Sequence, residues 1–171
     1  MPGLLQKVKQ RLLQLNGFRD LLPIYAPLSG ELLDLEAVPD KIFSEKIVGD
    51  GVAIQPSYGD TLVAPVDGIL RKIFPTHHAF SLVTADGLEL LVHFGIDTVQ
   101  LRGQGFQRLA QETQFVKRGN PIIHFDLPFL QATIQSTITP VVIANRDIIR
   151  YLTKQTGTAI AGESVIMQFR Y

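Results

Sequence analysis

The chain has 171 residues, of which 46% are apolar, and it carries 16 basic and 16 acidic side chains but no cysteine. This length and apolar content suffice for one domain with a substantial core, and the lack of cysteine excludes disulfides, thiolate metal sites and cysteine nucleophiles. Residues 20–171 carry 12 cations against 16 anions, because residues 1–19 hold four cations and no acid. A mildly acidic body argues against nucleic acid as the main partner.

Residues 1–19 are predicted to form an amphipathic tail that is mostly disordered in water, before a single domain at residues 20–171. Basic residues interrupt the apolar run of this segment, which argues against both a signal peptide and a spanning helix. On a helical wheel its apolar side chains fall within an arc of about 100°; they are Leu4, Leu5, Val8, Leu12 and Leu15. The pattern predicts weak contact of residues 1–17 with an anionic membrane, and the alternative is a helix that packs on the body.

The body of the chain alternates short β-rich runs with turn dipeptides such as Asp50–Gly51 and Asp86–Gly87. Turn signals at this frequency predict an all-β fold, an antiparallel β-sandwich or barrel. A short echo supports this prediction, since residues 26–32 and residues 64–70 share the pattern Ala-Pro-x-x-Gly. Each copy predicts a turn that leads into a strand.

Two short helices and one last strand are also predicted. One helix follows Asp126, and the other is capped by Asn145 and continues to about Leu152. Residues 163–171 alternate in hydropathy and are expected to close the edge of a sheet.

Two histidines are predicted to face each other across a β-hairpin. His78 lies in a run from Phe74 to Thr84, His93 lies in the next apolar run, and residues 85–87 form a strong turn signal between them. A two-residue turn places both rings on one face, with Cβ atoms ~5 to ~7 Å apart, whereas a three-residue loop places them on opposite faces. We expect the shared face, and with it two imidazoles within reach of one small ligand.

Two kinds of chemistry fit such a pair. In the first, a zinc hydrolase, the two imidazoles and a carboxylate from Asp40, Asp97 or Glu89 would bind the metal. In the second, one imidazole is a nucleophile and the other steadies the anionic group that it receives. The lack of a His-x-His or His-Glu-x-x-His motif disfavours zinc. Thr76 adds a hydroxyl to the same face, and Gly95 leaves room beside the ring of His93 for a partner.

The segments around this hairpin carry a family resemblance from about Ile24 to the C terminus. The matching segments are residues 38–43, 45–51, 76–81, 92–99 and 136–142. They resemble the glucose-specific enzyme IIA of the bacterial phosphoenolpyruvate-dependent sugar phosphotransferase system, in its stand-alone form. The resemblance implies a β-sandwich of the barrel-sandwich hybrid type.

The resemblance also implies a function as a phosphocarrier without a bound cofactor. His93 would accept a phosphoryl group on Nε2 from the carrier HPr and pass it to a cysteine in the IIB domain of a sugar permease, with glucose as the expected sugar. His78 and Thr76 would stabilise the phosphoryl group. No metal is required, although His78 and His93 could bind zinc at an interface with a partner.

The same resemblance implies a partner-binding surface of apolar side chains flanked by two carboxylates. Its expected members are Asp40, Ile42, Phe43, Ile47, Val48, Phe74, Phe80, Asp97 and Val99. A purely regulatory binding module is the alternative function, because members of the family act on permeases, glycerol kinase or adenylate cyclase according to their phosphorylation state. The expected location is the cytoplasm, with peripheral contact at the inner face of the membrane.

Overall fold

The computed structural model describes residues 21–171, and this part of the chain folds into β-strands joined by short helices and turns. The strands are β1 (Leu22–Tyr25), β2 (Ser29–Asp34), β3 (Asp50–Tyr58), β4 (Thr61–Val63), β5 (Gly68–Ile73), β6 (Ala79–Val83), β7 (Glu89–His93), β8 (Phe106–Arg108), β9 (Phe115–Val116), β10 (Pro121–Phe125), β11 (Thr139–Ile143), β12 (Tyr151–Lys154), β13 (Gly157–Ala159) and β14 (Val165–Arg170). The helices are α1 (Lys41–Ser44) and α2 (Leu127–Thr133), and 3-10 turns occupy Leu35–Ala37, Thr98–Leu101 and Arg146–Ile148. None of the helices in residues 21–171 is long and apolar enough to cross a membrane.

The strands form one large sheet and two small ones, and every pairing between them is antiparallel. The large sheet has eight strands in the order β13-β2-β3-β11-β7-β6-β5-β9. The small sheets have the orders β1-β14-β12 and β4-β10-β8. Apolar side chains from all three sheets pack into one main core. The predicted antiparallel β-sandwich is therefore confirmed.

The central strands β3 and β11 are buried on both faces because they separate two apolar clusters. Val52 and Ile54 of β3 face the main core. Ala53 and Val142, which point the other way, join a smaller outer cluster. The other buried members of that cluster are Leu35, Val38, Phe43 and Ile96. The outer cluster fixes α1 against the sheet, and this places α1 beside the end of β7.

The repeated Ala-Pro-x-x-Gly pattern leads into β2 and β5, as predicted. Its glycine is required by close backbone approach, since a Cβ at Gly30 would clash with the carbonyl of Gln55 and a Cβ at Gly68 would lie 2.6 Å from the carbonyl oxygen of Val83. Asp50–Gly51, in contrast, is not a turn. It begins β3, where a side chain at position 51 would clash with the backbone of β11.

The predicted hairpin register was wrong, although the two histidines do meet. β6 and β7 pair so that Ala79 lies opposite His93, and residues 85–87 form a three-residue loop. Strict alternation would then place His78 on the face opposite His93. His78, however, precedes β6, and His77 before it has a φ of 56°, which interrupts the extended backbone. The alternation therefore does not extend to His78, and its ring turns towards His93.

The last two predicted elements also differ in part from the structure. The helix after Asp126 is present, with the Asp126 carboxylate accepting a hydrogen bond from the backbone N–H of Phe129. No helix follows Asn145 beyond a 3-10 turn, because its side chain bonds Gly87 and Glu89 of the hairpin instead of capping a helix. β14 is the central strand of its sheet, with β1 and β12 on its two sides, and not an edge strand.

Candidate functional site

His93 is the last residue of β7, and its ring has one nitrogen engaged. Nδ1 lies 2.9 Å from the carbonyl oxygen of Gly95. Because a carbonyl only accepts, Nδ1 carries the proton and Nε2 keeps a free lone pair. Burial lowers the pKa of His93, and the hydrogen bond to Gly95 and the charge of Asp40 offset part of that effect. His93 is thus a neutral imidazole with Nε2 available as a nucleophile at neutral pH.

His78 lies against His93 with its ring almost perpendicular to it. The ring centroids are 4.7 Å apart and the planes meet at 78°. Nδ1 of His78 lies 2.6 Å from the hydroxyl oxygen of Thr76, so Thr76 orients this ring. Burial, and then repulsion from His93, lower the pKa of His78 to about 4. The site therefore joins two neutral imidazoles, each held through Nδ1.

Gly95 has a different role from the one expected. Its φ of 66° is left-handed, and a Cβ there would lie 2.7 Å from Cδ1 of Ile134 and 2.9 Å from the carbonyl oxygen of Ser136. The glycine allows this tight turn to pack against the chain before β11, and it does not open space beside His93. The contribution of Gly95 to the site is its carbonyl. No sequence signal identified this carbonyl as the partner of His93 Nδ1.

Aromatic side chains flank both imidazoles. Phe43 of α1 lies with its ring centroid 5.2 Å from that of His93, and Phe74 lies 5.8 Å from His78. Phe43 is buried in the outer cluster, whereas Phe74 is half-buried. Both were expected near the site. They hold the rings and reduce their contact with water.

Exposed apolar side chains and two carboxylates lie on the elements that adjoin the two histidines, namely α1 with the turn after it and the turn after β7. Ile42 on α1 is 46% exposed, Ile47 after it is 66% exposed, and Val99 after β7 is 56% exposed. Asp40 accepts a hydrogen bond from the backbone of Ile42 as the cap of α1, and Asp97 is exposed in the turn after His93. Exposed apolar side chains at such a density are typical of a docking surface.

Two of the expected surface residues, Phe43 and Phe80, are buried. Phe80 has no exposed area and lies in the main core. It points inwards because side chains alternate between the two faces of β6, and position 80 is on the face that is turned to the core. Val48 is half-buried against the outer cluster. Phe80 thus supports the sheet beneath the site and cannot contact a partner.

The third ligand that a zinc hydrolase would need is not placed with the two histidines. Among residues 21–171 no group of three or more His, Cys, Asp or Glu side chains is arranged to hold a metal ion. Of the carboxylates considered, Asp40 is the cap of α1, and Glu89 lies at the far end of β7 from His93. Nothing in this arrangement supports a hydrolytic zinc centre.

A β-sandwich that presents two apposed neutral imidazoles in an apolar, acid-flanked surface defines a histidine phosphocarrier. Comparison with known proteins agrees. The family profile of the phosphoenolpyruvate-dependent sugar phosphotransferase system, EIIA 1, matches residues 22–149. The chain belongs to this family.

Individual relatives extend the similarity over most of the chain. The glucose-specific EIIA component of Haemophilus influenzae is 55% identical over 147 residues, which are 86% of this chain and 88% of that protein. The component of the same name from Buchnera aphidicola subsp. Baizongia pistaciae is 51% identical over 147 residues, 86% of this chain and 87% of that protein. The solved glucose permease IIA of Mycoplasma capricolum shares 34% identity with a TM-score of 0.81, and the match covers 88% of this chain and 97% of that one. The protein is accordingly a phosphotransferase component that acts through a transient phosphohistidine and not through a cofactor.

Proposed function

We propose that His93 accepts the phosphoryl group on Nε2 from the phosphohistidine of HPr and passes it to the IIB domain of a sugar permease, with glucose as the first candidate sugar. The observation that carries this proposal is the hydrogen bond from His93 Nδ1–H to the carbonyl of Gly95. It leaves Nε2 as the nucleophile, next to a second imidazole. In the first transfer the N–P bond in HPr breaks as the bond from phosphorus to His93 Nε2 forms. In the second, that bond breaks as an S–P bond forms on the cysteine of IIB.

His78 is proposed to stabilise the phosphoryl group by donation from its own Nε2–H. The Thr76 hydroxyl, 2.6 Å from His78 Nδ1, supports this role, because its donation to Nδ1 would keep the His78 proton on Nε2. Because the ring of His78 is neutral, it does not repel His93 before the phosphoryl group arrives. Most of the rate enhancement then comes from positioning, as is usual for phosphoryl transfer.

The docking surface for HPr and IIB is proposed to consist of the exposed apolar side chains around His93 and the two carboxylates beside them. Its members are Asp40, Ile42, Ile47, Asp97 and Val99, with the buried Phe43 and the half-buried Val48 and Phe74 beneath them. The apolar members exclude water during transfer. The carboxylates favour partners that present cations, which speeds encounter at low salt.

Regulation by the same surface is a second proposed function. A phosphoryl dianion on His93 would stand inside an apolar, acid-flanked surface, so it would repel any partner that buries this surface in the unphosphorylated state. Permeases, glycerol kinase and adenylate cyclase remain candidate partners. We likewise propose that residues 1–17, which lie outside the described residues, make peripheral contact with the inner, cytoplasmic face of the membrane.

The test of the proposed function is phosphorylation by phosphoenolpyruvate, enzyme I and HPr, followed by mass spectrometry under alkaline conditions. We expect one alkali-stable and acid-labile phosphoryl group, absent in His93→Gln and retained in His124→Gln. His124 is a suitable control because it lies on β10, part of another sheet. Persistent phosphorylation of His93→Gln would show that the nucleophile is another residue.

A further inference from the structure

The turn that carries Gly95 contains two left-handed residues within three positions. Gly95 has a φ of 66° and Asp97 a φ of 59°. A left-handed residue other than glycine is uncommon, and such backbone persists only where the surroundings hold it. The position of the Gly95 carbonyl, and therefore the tautomer of His93, depends on the interactions that keep this turn in its conformation.

Three hydrogen bonds hold the turn, two of them to other parts of the chain and one within the turn itself. The N–H of Phe94 donates to the carbonyl of His78 at 2.8 Å, and the N–H of Ile96 donates to the carbonyl of Ser136 at 2.9 Å. The third comes from a side chain, because the hydroxyl of Thr98 donates to the carbonyl of Phe94 at 2.9 Å. Thr98 has no exposed area. This is the bond that a substitution can remove without changing the backbone.

The Thr98 bond acts on the peptide plane next to the Gly95 carbonyl. The plane that carries the Phe94 oxygen ends at the nitrogen of Gly95, so its rotation changes ψ of Phe94 and φ of Gly95. Any part of the change in φ that ψ of Phe94 does not offset redirects the Gly95 carbonyl. The ring of Phe94 is buried in the core, with its centroid 4.7 Å from that of Phe125 and 5.5 Å from that of Phe106. Without the hydroxyl, a buried carbonyl would lose its donor, and rotation of this plane is the available response.

We propose that Thr98 is a positioning residue for phosphoryl transfer, whose hydroxyl fixes the turn in which the Gly95 carbonyl selects the Nδ1-protonated tautomer of His93. The inference rests on the proposed role of His93 as acceptor. Thr98 does not touch the phosphoryl group. It acts through residues 94–95 and sets which ring nitrogen is free to react.

Two substitutions separate the hydroxyl of Thr98 from its packing. Thr98→Val keeps the shape of the side chain and removes the donor, whereas Thr98→Ser keeps the donor and removes a methyl group. Thr139→Val is the matched control, because Thr139 is also fully buried and its hydroxyl donates to a carbonyl, that of Thr137, at 3.0 Å. Should Thr98→Val not fold, Thr98→Cys, with a weak thiol donor of similar size, takes its place.

The first readout is the ¹⁵N chemical shifts of the His93 ring across pH, which report the tautomer of folded molecules independently of any transfer. The second is the single-turnover rate from phospho-HPr. We expect Thr98→Val to populate the Nε2-protonated tautomer and to accept the phosphoryl group about tenfold more slowly. Thr98→Cys should change both readouts in the same direction by less. Thr98→Ser and Thr139→Val should resemble the unsubstituted protein in both.

An unchanged His93 tautomer in Thr98→Val, or in Thr98→Cys if that replaces it, would overturn the positioning role whatever the transfer rate. So would a defect in Thr98→Ser equal to that of Thr98→Val, since it would assign the effect to packing. Failure of the unsubstituted protein to be phosphorylated on His93 is a distinct result. It would overturn the proposed function, while the ¹⁵N shifts would still decide whether Thr98 sets the tautomer.

Discussion

The two imidazoles of the site differ in what holds them. The partner of His93 Nδ1 is a carbonyl, which only accepts, whereas the partner of His78 Nδ1 is a hydroxyl, which both donates and accepts. The proton of His93 is therefore fixed on one nitrogen, as a nucleophile requires. The Thr76 hydroxyl can donate to His78 Nδ1, which leaves the His78 proton on Nε2, where a stabilising donor needs it.

This difference predicts that His78 matters more for onward transfer than for acceptance. His78→Gln should accept phosphate from HPr at a rate close to normal but pass it to IIB about a hundredfold more slowly, because a donor is worth most where charge develops. Rapid-quench measurement of each half-reaction separates the two steps. A variant with normal transfer to IIB would remove His78 from the mechanism.

Burial of His78 also predicts how stability depends on pH. Its folded pKa is about 4, against about 6.5 for an unfolded histidine. Between these values the unfolded state binds more protons than the folded state, so the free energy of unfolding increases as the pH rises from about 4 to about 6.5. This contribution to stability is lost as the pH falls through the same range. The full effect of this one group is roughly 3 kcal/mol.

Urea unfolding across this pH range measures the effect, since the slope in His78→Gln should be clearly smaller than in the unsubstituted protein. Equal slopes in the two proteins would mean that His78 is not held neutral by the fold.

At the scale of elements, α1 combines a structural role with a charge next to the site. Asp40 accepts a hydrogen bond from the N–H of Ile42 at 2.8 Å, and its charge acts on His93. The chain after α1 is held by Asp50, which pairs with Lys154 at 2.6 Å and with Lys46 at 3.6 Å. Asp40 thus supports both the helix that carries Ile42 and the field around His93.

Two substitutions of Asp40 separate these contributions. Asp40→Asn keeps a good helix cap and removes the charge, so it should slow association with HPr several-fold at low salt and hardly at high salt. Asp40→Ala should show the same kinetic change and lower the free energy of unfolding by about 1 kcal/mol.

Asp126→Ala is the control for capping alone, because Asp126 caps α2 through the N–H of Phe129. It should lower stability without a change in association. A salt-independent defect in Asp40→Asn would contradict the electrostatic role of this residue.

The elements that were predicted correctly have strong local signals. The turn patterns before β2 and β5 and the Asp126 cap of α2 are determined by a few neighbouring residues. The errors involve partners distant in sequence: Asn145 bonds a hairpin 56 residues away, and β14 is flanked by strands from both ends of the domain. The meeting of His78 and His93 was predicted from a two-residue turn, but the structure has a three-residue loop. The left-handed His77 that allows the rings to meet in this register is not visible in hydropathy.

At the scale of the whole molecule, the described chain begins far from the phosphoryl site. Leu22 lines a cavity of about 490 Å³ together with Thr84 and Asp86. These two residues lie at the loop of the β6–β7 hairpin, whereas His93 lies at the opposite end of β7. The tail that precedes residue 21 is therefore attached at the end of the hairpin away from His93.

This arrangement predicts that deletion of residues 1–17 leaves HPr-dependent phosphorylation nearly unchanged. The deletion should reduce transfer to a membrane-embedded permease more than transfer to its isolated IIB domain, because the lost contribution is attraction to an anionic bilayer. Binding of the full chain to anionic vesicles should weaken with salt. Equal effects on both acceptors would indicate a packing helix and not a membrane contact.

The central claim is that Nε2 of His93 is the nucleophile because Nδ1 is bonded to the Gly95 carbonyl. It is tested most directly by NMR of the ¹⁵N-histidine-labelled protein after phosphorylation by HPr, through the coupling between phosphorus and the ring nitrogens. We predict one phosphoryl group on Nε2 of His93, with Nδ1 still protonated and bonded to Gly95. A phosphoryl group on Nδ1 of His93, or on any other histidine, would contradict the account.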